Sequence, residues 1–215
     1  LKAYWRNNER FADLFIQIFF DGNDFVLPEA LSDGETDQAN MLLEKKTVFT
    51  VSGLRDLYKK HVQDAVLAIY GLENQTEIHY AMPVRTMLLD AVDYSKQYKT
   101  ISQEHRQAKD LKSSAELLSG MKQEDRILPV LTLIIYYGED AWQKPETLWD
   151  MMDIPDELKP FINNYRIHIF QIRDCGQYSF SHPDNQDFFT LISEFYTQKK
   201  RFNFNDFKEN HPTMS

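Results

Sequence analysis

The sequence predicts an α/β protein, a central mixed β-sheet flanked by helices on both faces, and three observations carry that prediction. Residues 128–137, LPVLTLIIYY, form an apolar run of strand length, the pattern of a strand covered by helices on both sides. Residues 65–71, AVLAIYG, make a second run of this kind. Other stretches repeat apolar residues at helical spacing, with Phe11, Leu14, Phe15, Ile18 and Phe19 in one and Met87, Leu88, Ala91, Val92 and Tyr98 in another. The resulting order of helix, three strands, helix and strand belongs to a layered α/β fold with strand ends open to chemistry.

Taken in order, Asn7 or Asn8 can cap the first helix through its side-chain oxygen. Asp13 lies on the far side of that helix, flanked by Ile16 and Phe20, where a carboxylate is costly unless paired or put to use. Residues 21–40 contain DGND, LPEA and SDGETDQ and read as a turn-rich acidic connection. The β-branched run 47–51 and residues 54–59 are the expected first two strands, and HVQD, 61–64, is the turn into the third, 65–73. Pro83 suits the first turn of the next helix, and a more polar helical elaboration is expected over about 102–122. After the strand at 128–137 come a short helix near 146–152, a strand at 165–172 and a helix over about 185–198. Residues 1–200 thus read as one domain and 201–215 as a polar tail that frays.

Composition narrows the class. With 215 residues, 42% hydrophobic and 27% charged, the chain can bury a substantial core as an ordinary globular protein. Its longest apolar stretch, 130–137, is far below the roughly 20 residues of a membrane helix, and no signal-peptide or lipidation pattern is present. The chain opens on Leu1 rather than Met, so residues are expected to precede it. One cysteine, Cys175, excludes an intramolecular disulfide framework and fits a reducing cytoplasm. A net charge of -9 argues against coating duplex DNA by bulk electrostatics, yet acids that hold a divalent cation are negative by necessity. The charge is uneven: residues 96–126 carry seven Lys/Arg against five Asp/Glu, and 139–160 carry two against seven. The first segment can lie near a polyanion or be a solvated face, and the second is expected to face solvent.

Several chemistries are excluded by absence. Seven glycines, none in GxxxxGK[ST] or GxGxxG spacing, leave no phosphate-cradling loop. There is no GxSxG elbow and no HExxH, and one Cys with six scattered His builds no zinc framework. His79 and His168 therefore read as structural residues. What remains is a carboxylate pair, Asp56 near the start of one strand and Glu73 at the end of the next. A hairpin of 57–61 with 65–70 sets Asp56 beside about Gly71, one or two residues from Glu73. Two converging carboxylates repel unless a proton or a divalent cation lies between them, and hard oxygen ligands suit Mg²⁺, Mn²⁺ or Ca²⁺. The bland alternative pairs Asp56 with Arg55 or Lys59 and leaves Glu73, Gln75 and Glu77 as a polar strand edge. Spacing alone does not choose among those acids.

The segments RDLYKK, AVLAIYGLENQTEIHYAMPVRTMLLDAVDY, YWRNNERFADLF and ILPVLTLIIYYGEDAW resemble the recombination-promoting nuclease and transposase-related family of the PD-(D/E)XK nuclease superfamily. The resemblance spans most of the chain and is densest at ENQ followed by AMPVR. It implies a restriction-endonuclease-like core, with metal bound by an acid on the second core strand, Asp56, and by the acid opening the E-x-K motif, Glu73. The third element, usually Lys, is here Gln75. Asn74 would add its backbone carbonyl to the metal, its side chain facing away, and Asp13, or else Glu9, matches the acid that the first core helix often brings near. Arg85 either contacts a substrate phosphate or is a surface or packing arginine. The implied activity is metal-dependent hydrolysis of DNA phosphodiesters in recombination or mobile-element movement, with DNA as partner and no membrane. The alternative is a catalytically inactive relative binding DNA or a protein. A homodimer is a further expectation: Phe188, Phe189, Phe195 and Tyr196 on the last helix would form a dimerisation patch if exposed, though burial against the sheet is the expected fate.

Overall fold

The computed structural model describes residues 2–34, 40–44, 47–51, 56–63, 65–198 and 201–210. The chain forms helix α1 (Asn8–Phe19), strands β1 (Leu31–Asp33), β2 (Asn40–Glu44), β3 (Thr47–Val51), β4 (Leu57–Gln63) and β5 (Ala65–Gln75), and helices α2 (Met82–Ala108) and α3 (Ser114–Ser119). Strands β6 (Val130–Tyr136) and β7 (His168–Gln171) and helices α4 (Pro183–Gln198) and α5 (Phe204–Asn210) follow. Five strands make one mixed sheet in the order β1-β4-β5-β6-β7. β1, β4 and β5 pair antiparallel, and β5, β6 and β7 pair parallel. This is the expected α/β architecture.

One sheet face packs on α1 and α4. Leu57, Tyr70, Leu72, Leu133, Ile135 and Phe170 meet Phe11, Leu14 and Phe15 of α1, Phe189 of α4 and the buried Trp5. α1 forms because its apolar residues recur at helical spacing and because Asn7 caps it, its side-chain oxygen accepting from Arg10 N at 3.0 Å. The opposite face carries a smaller cluster of Ile134, Tyr136, Met82, Trp142 and Ile167 under the start of α2. β6 is buried on both faces, which is why it reads as an unbroken apolar run.

Three strand expectations change. The run 47–51 is a strand, but it pairs with β2 in a separate two-stranded sheet rather than opening the main one. The main sheet instead starts with β1, from the segment read as an acidic connection, and β1 is held by pairing with β4 rather than by strand composition. The expected strand 54–59 is Leu57–Gln63, so His61, Val62 and Gln63 are strand, not turn. Residues 54, 55 and 64 lie outside the described residues.

The helices change as well. α2 runs through Ala108, absorbing the start of the expected elaboration, which is reduced to α3. The short helix near 146–152 is a 3₁₀ turn at Trp149–Met151. Within the segment read as a fraying tail, Phe204–Asn210 is helical with Phe207 buried. On the last long helix Phe189 is buried, Phe188 and Tyr196 pack against the main core, and Phe195 stacks edge-on with Phe202 at 5.6 Å.

Beyond Tyr98, Ser102 is the buried residue of α2, and this half of the helix is joined to residues 110–125 instead of the sheet. Gly120 caps α3 with φ 72, and a Cβ there would stand 2.1 Å from Ser102 Oγ, so both conformation and close approach require glycine. His105 holds this arm, the second half of α2 with residues 110–125, together: Nδ1 lies 2.9 Å from Asp110 Oδ1 and Nε2 2.9 Å from Asp125 Oδ2, while Lys122 Nζ donates to Asp110 Oδ2 at 2.6 Å. Hydrogen bonds to Asp125 and then Asp110 raise the His105 pKa, and those carboxylates are held below their usual range.

Lys59 is fully buried on the α1 face and donates to Arg6 O at 2.9 Å, Asn8 Oδ1 at 2.6 Å and Asp33 Oδ1 at 2.7 Å. A buried ammonium is tolerable only with such a complete set of acceptors. It joins β4, β1 and the entry to α1. Lys59→Ala should cost about 3 kcal/mol by urea denaturation, since it opens a cavity and strips those acceptors of their donor; a loss within 0.5 kcal/mol, a surface-mutation value, would contradict the role. Because the His105 pKa is raised on folding, its charge stabilises the arm fully below the ordinary value of 6.5, and that contribution is lost as pH rises through the folded value. An NMR titration should place His105 above 6.5, and Asp125→Asn should lower it; a value at or below the ordinary one in the unaltered chain would refute the arrangement.

Candidate active site

The site is built at the end of β5, where this central strand outruns β4. In the register Leu57 faces Leu72 and Tyr58 faces Gly71, so one further step places Asp56 across from Glu73. The expected partner was Gly71. The pairing is displaced because β4 starts at Leu57 and runs to Gln63, with a register irregularity between His61 and Val62. The parallel neighbour β6 continues alongside, with Glu73 facing Ile134 and Gln75 facing Tyr136, and Tyr137 N donates to Gln75 O at 2.8 Å.

Alternation sends successive residues of β5 to opposite faces. Leu72 packs in the α1-side core, so Asn74 shares that face, while Glu73 and Gln75 point to the α2 side. Asp56 Oδ2 accepts from Asn74 N at 2.8 Å and from Asn74 Nδ2 at 2.9 Å. The Asn74 side chain therefore grips Asp56 instead of facing away from the site. Of the two local partners considered for Asp56, Lys59 is committed elsewhere, and Arg55 lies outside the described residues. Nearby, the Tyr137 phenol is pushed well above its usual pKa, by burial first, with the Asp56 charge contributing in the same direction.

Glu73 is 1% exposed, and Arg85 of α2 answers its charge, with Nη2 standing 3.5 Å from Glu73 Oε2. Pro83 at the N-terminus of α2 sets up this approach, since the first turn of the helix delivers Arg85 to the strand end. The structure thus joins Asp56 to Asn74 on one side of the β5 tip and Glu73 to Arg85 on the other. Gln75 follows on the Glu73 face. Glu77 lies beyond the strand and is exposed.

Asp13 is placed elsewhere. Its Oδ1 accepts from Ser181 N at 2.8 Å and its Oδ2 from Asn185 Nδ2 at 2.8 Å, so it ties α1 to the start of α4. Asn185 is fully buried, donates also to Arg10 O at 2.8 Å and accepts from Tyr4 OH at 2.8 Å, and Arg10 pairs with Asp184 beside it. This latch explains a carboxylate among apolar neighbours. Its partners lie more than 160 positions away in the chain, so no local pattern announces them. Glu9 faces His182 at 3.4 Å in the same region.

The donors at the β5 tip are all oxygen: the Asp56 and Glu73 carboxylates and the Asn74 carbonyl. An extended residue directs its N–H and C=O to the same side, so the Asn74 carbonyl faces the edge where Asp56 sits. Asn74 Oδ1 is buried and accepts no hydrogen bond among the described residues. Each of these oxygens is a donor of the type a hard divalent cation takes. Three or more His, Cys, Asp or Glu do not converge in a metal-holding group among the described residues, so the fit rests on two acids and backbone.

No protein-family model, no curated protein and no solved structure matches the chain. Among the described residues no helix is long and apolar enough to cross a membrane.

Asp13→Ala should lower stability by about 2 kcal/mol in denaturant melts, because it removes the acceptor of one N–H of the buried Asn185 amide and of the Ser181 N–H. An unchanged midpoint would remove the latch.

Proposed function

We propose that the chain is a divalent-metal-dependent DNA endonuclease with a restriction-endonuclease-like core, as its resemblance to recombination-promoting nucleases implies. The observation that carries this reading is the β4–β5 register, which sets Asp56 across from Glu73 at the open end of the central strand. The sequence of α1, the antiparallel β1-β4-β5, the crossover α2 and the parallel β6 supports the finer fold assignment. Gln75 stands where a lysine is usual in that superfamily.

Asp56, Glu73 and the Asn74 carbonyl would hold Mg²⁺, Mn²⁺ or Ca²⁺, which when bound supplies Lewis-acid polarisation of a phosphate and a more acidic water. Asn74 fixes the Asp56 carboxylate with two hydrogen bonds, so its orientation is set before substrate arrives. Gln75 can orient a water through its amide but adds no positive charge. Arg85, about half-exposed beside Glu73, can reach a phosphate oxygen and offset its negative charge.

The Arg85–Glu73 pair also favours a second reading, a non-catalytic protein that binds DNA or a protein partner. A buried carboxylate already answered by an arginine is balanced without a metal. Calorimetric titration with Mn²⁺ separates the two, since the nuclease requires a site lost in Glu73→Ala. Supercoiled plasmid should be nicked in Mg²⁺ or Mn²⁺, with Asp56→Ala and Glu73→Ala each slowing nicking by about a hundredfold or more. Cleavage that persists in both variants would remove the site, and absence of both Mn²⁺ binding and cleavage would remove the activity.

A further inference from the structure

The connection that leads from α1 to the edge strand β1 is tied to β4 through a buried histidine. His61 is fully buried, and its Nε2 accepts from Leu27 N at 3.2 Å. Leu27 precedes the 3₁₀ turn Pro28–Ala30, with Ala30 N donating back to Leu27 O at 3.0 Å. That turn delivers Leu31, the first residue of β1, to the position across from His61 itself. One residue of β4 thus meets the segment twice, through its ring and through its backbone register. The pairing of β4 with β5 shifts between His61 and Val62, and irregularities of this kind re-aim a side chain.

Accepting from a backbone N–H requires a lone pair on Nε2, so the proton of the neutral ring sits on Nδ1. Nδ1 is buried and has no hydrogen-bond partner among the described residues. A second proton would remove the acceptor of Leu27 N–H, turn two N–H groups against each other and leave a buried charge with no acceptor among those residues. The surroundings offer little relief. On β5 the Tyr70 ring centroid stands 6.3 Å from the imidazole, and burial keeps that phenol neutral. Lys59, two residues back on β4, is a cation already committed to Arg6 O, Asn8 Oδ1 and Asp33 Oδ1. α1 contributes Phe11 and Phe15, which pack on Tyr70. Glu29 on the turn is the anion whose charge reaches the ring, but it is exposed, and burial outweighs its attraction and lowers the His61 pKa.

We propose that His61 is an acid-sensitive latch: protonation of its ring releases Leu27 and opens the connection 21–30 with the start of β1, while Lys59 keeps Asp33 in place. Opening bares the β4 backbone across from Leu31, an unpaired edge open to another strand. An open segment leaves the ring in water at its ordinary value of 6.5, so opening takes up a proton and is favoured as pH falls below that value. His105 acts in the opposite sense, since its protonation strengthens its contacts with two aspartates. The latch stands apart from the β5 tip and does not depend on any nuclease activity.

The test is amide hydrogen exchange on the full chain, read by NMR at about pH 7 and about pH 5 and corrected for the intrinsic exchange rate. Protection of the Leu27, Ala30 and Leu31 amides should fall about tenfold or more at the lower pH, with α1 and β6 unchanged. His168, also lowered by burial, lies on β7 against Phe19, so its titration would be read on β7 instead. The His61 ring should titrate below 6.5 in the unaltered chain. His61→Gln retains an oxygen acceptor but takes up no proton, so the pH dependence of those three amides should vanish. Equal protection under the two conditions, a loss spread evenly over the sheet, an imidazole that titrates at or above 6.5, or a His61→Gln chain that keeps the dependence would each overturn the proposal.

Discussion

The candidate site depends on one constraint, the pairing register between β4 and β5. β5 is central and covered on both faces, so its side chains are committed: Tyr70 and Leu72 to the core under α1, Glu73 to the side of α2. A slip of one residue would bury Glu73 against Phe11 and Phe15 and set Leu72 beside Arg85 in its place, at a cost no local interaction could offset. The register is anchored by packing on both sides, and the position of Asp56 follows from it. The grouping of polar side chains at the strand tip thus follows from where the apolar residues must go.

Buried polar groups do a second job, fastening the elements around that sheet. Lys59 joins β4 to β1 and to the residues that start α1. Asp13, Arg10 and Tyr4 join α1 to the start of α4 through Asn185, Asp184 and Ser181. Each group has its partners supplied, which makes burial tolerable and restricts the helices to one placement. At the β5 tip Asn74 Oδ1 is one of several buried polar atoms without a hydrogen-bond partner among the described residues.

The two faces of the molecule are used differently. The α1–α4 side holds the larger core and most of the aromatic contacts, including Phe180 stacked on Phe189 at 4.1 Å. The α2 side covers the sheet with a smaller cluster and then extends beyond it as the arm. Cores this different on the two faces allow one side to carry most of the stability while the other carries the exposed end of α2 and the Glu73–Arg85 pair.

Much of the architecture was legible in the chain because it rests on local patterns. The period of Phe11, Leu14 and Phe15 with the Asn7 cap defines α1, the unbroken run around Leu133 to Ile135 defines β6, and Pro83 marks the start of α2. The acids Asp56 and Glu73 could be paired on spacing, though two residues out of register, since a bulge near His61 has no sequence signature. Sequence by itself determined the layer class, the helix and strand identities of the strongly periodic segments, and the chemical types available at the end of β5. Tertiary structure alone decided that Leu31–Asp33 is the edge strand, that Asp13 serves Asn185, that Lys59 is buried, and that Asn74 turns toward Asp56. The physical reason is range. Periodicity and caps act within a few residues, whereas strand pairing and the satisfaction of buried charge are settled between groups brought together only when the sheet and its covering helices have closed.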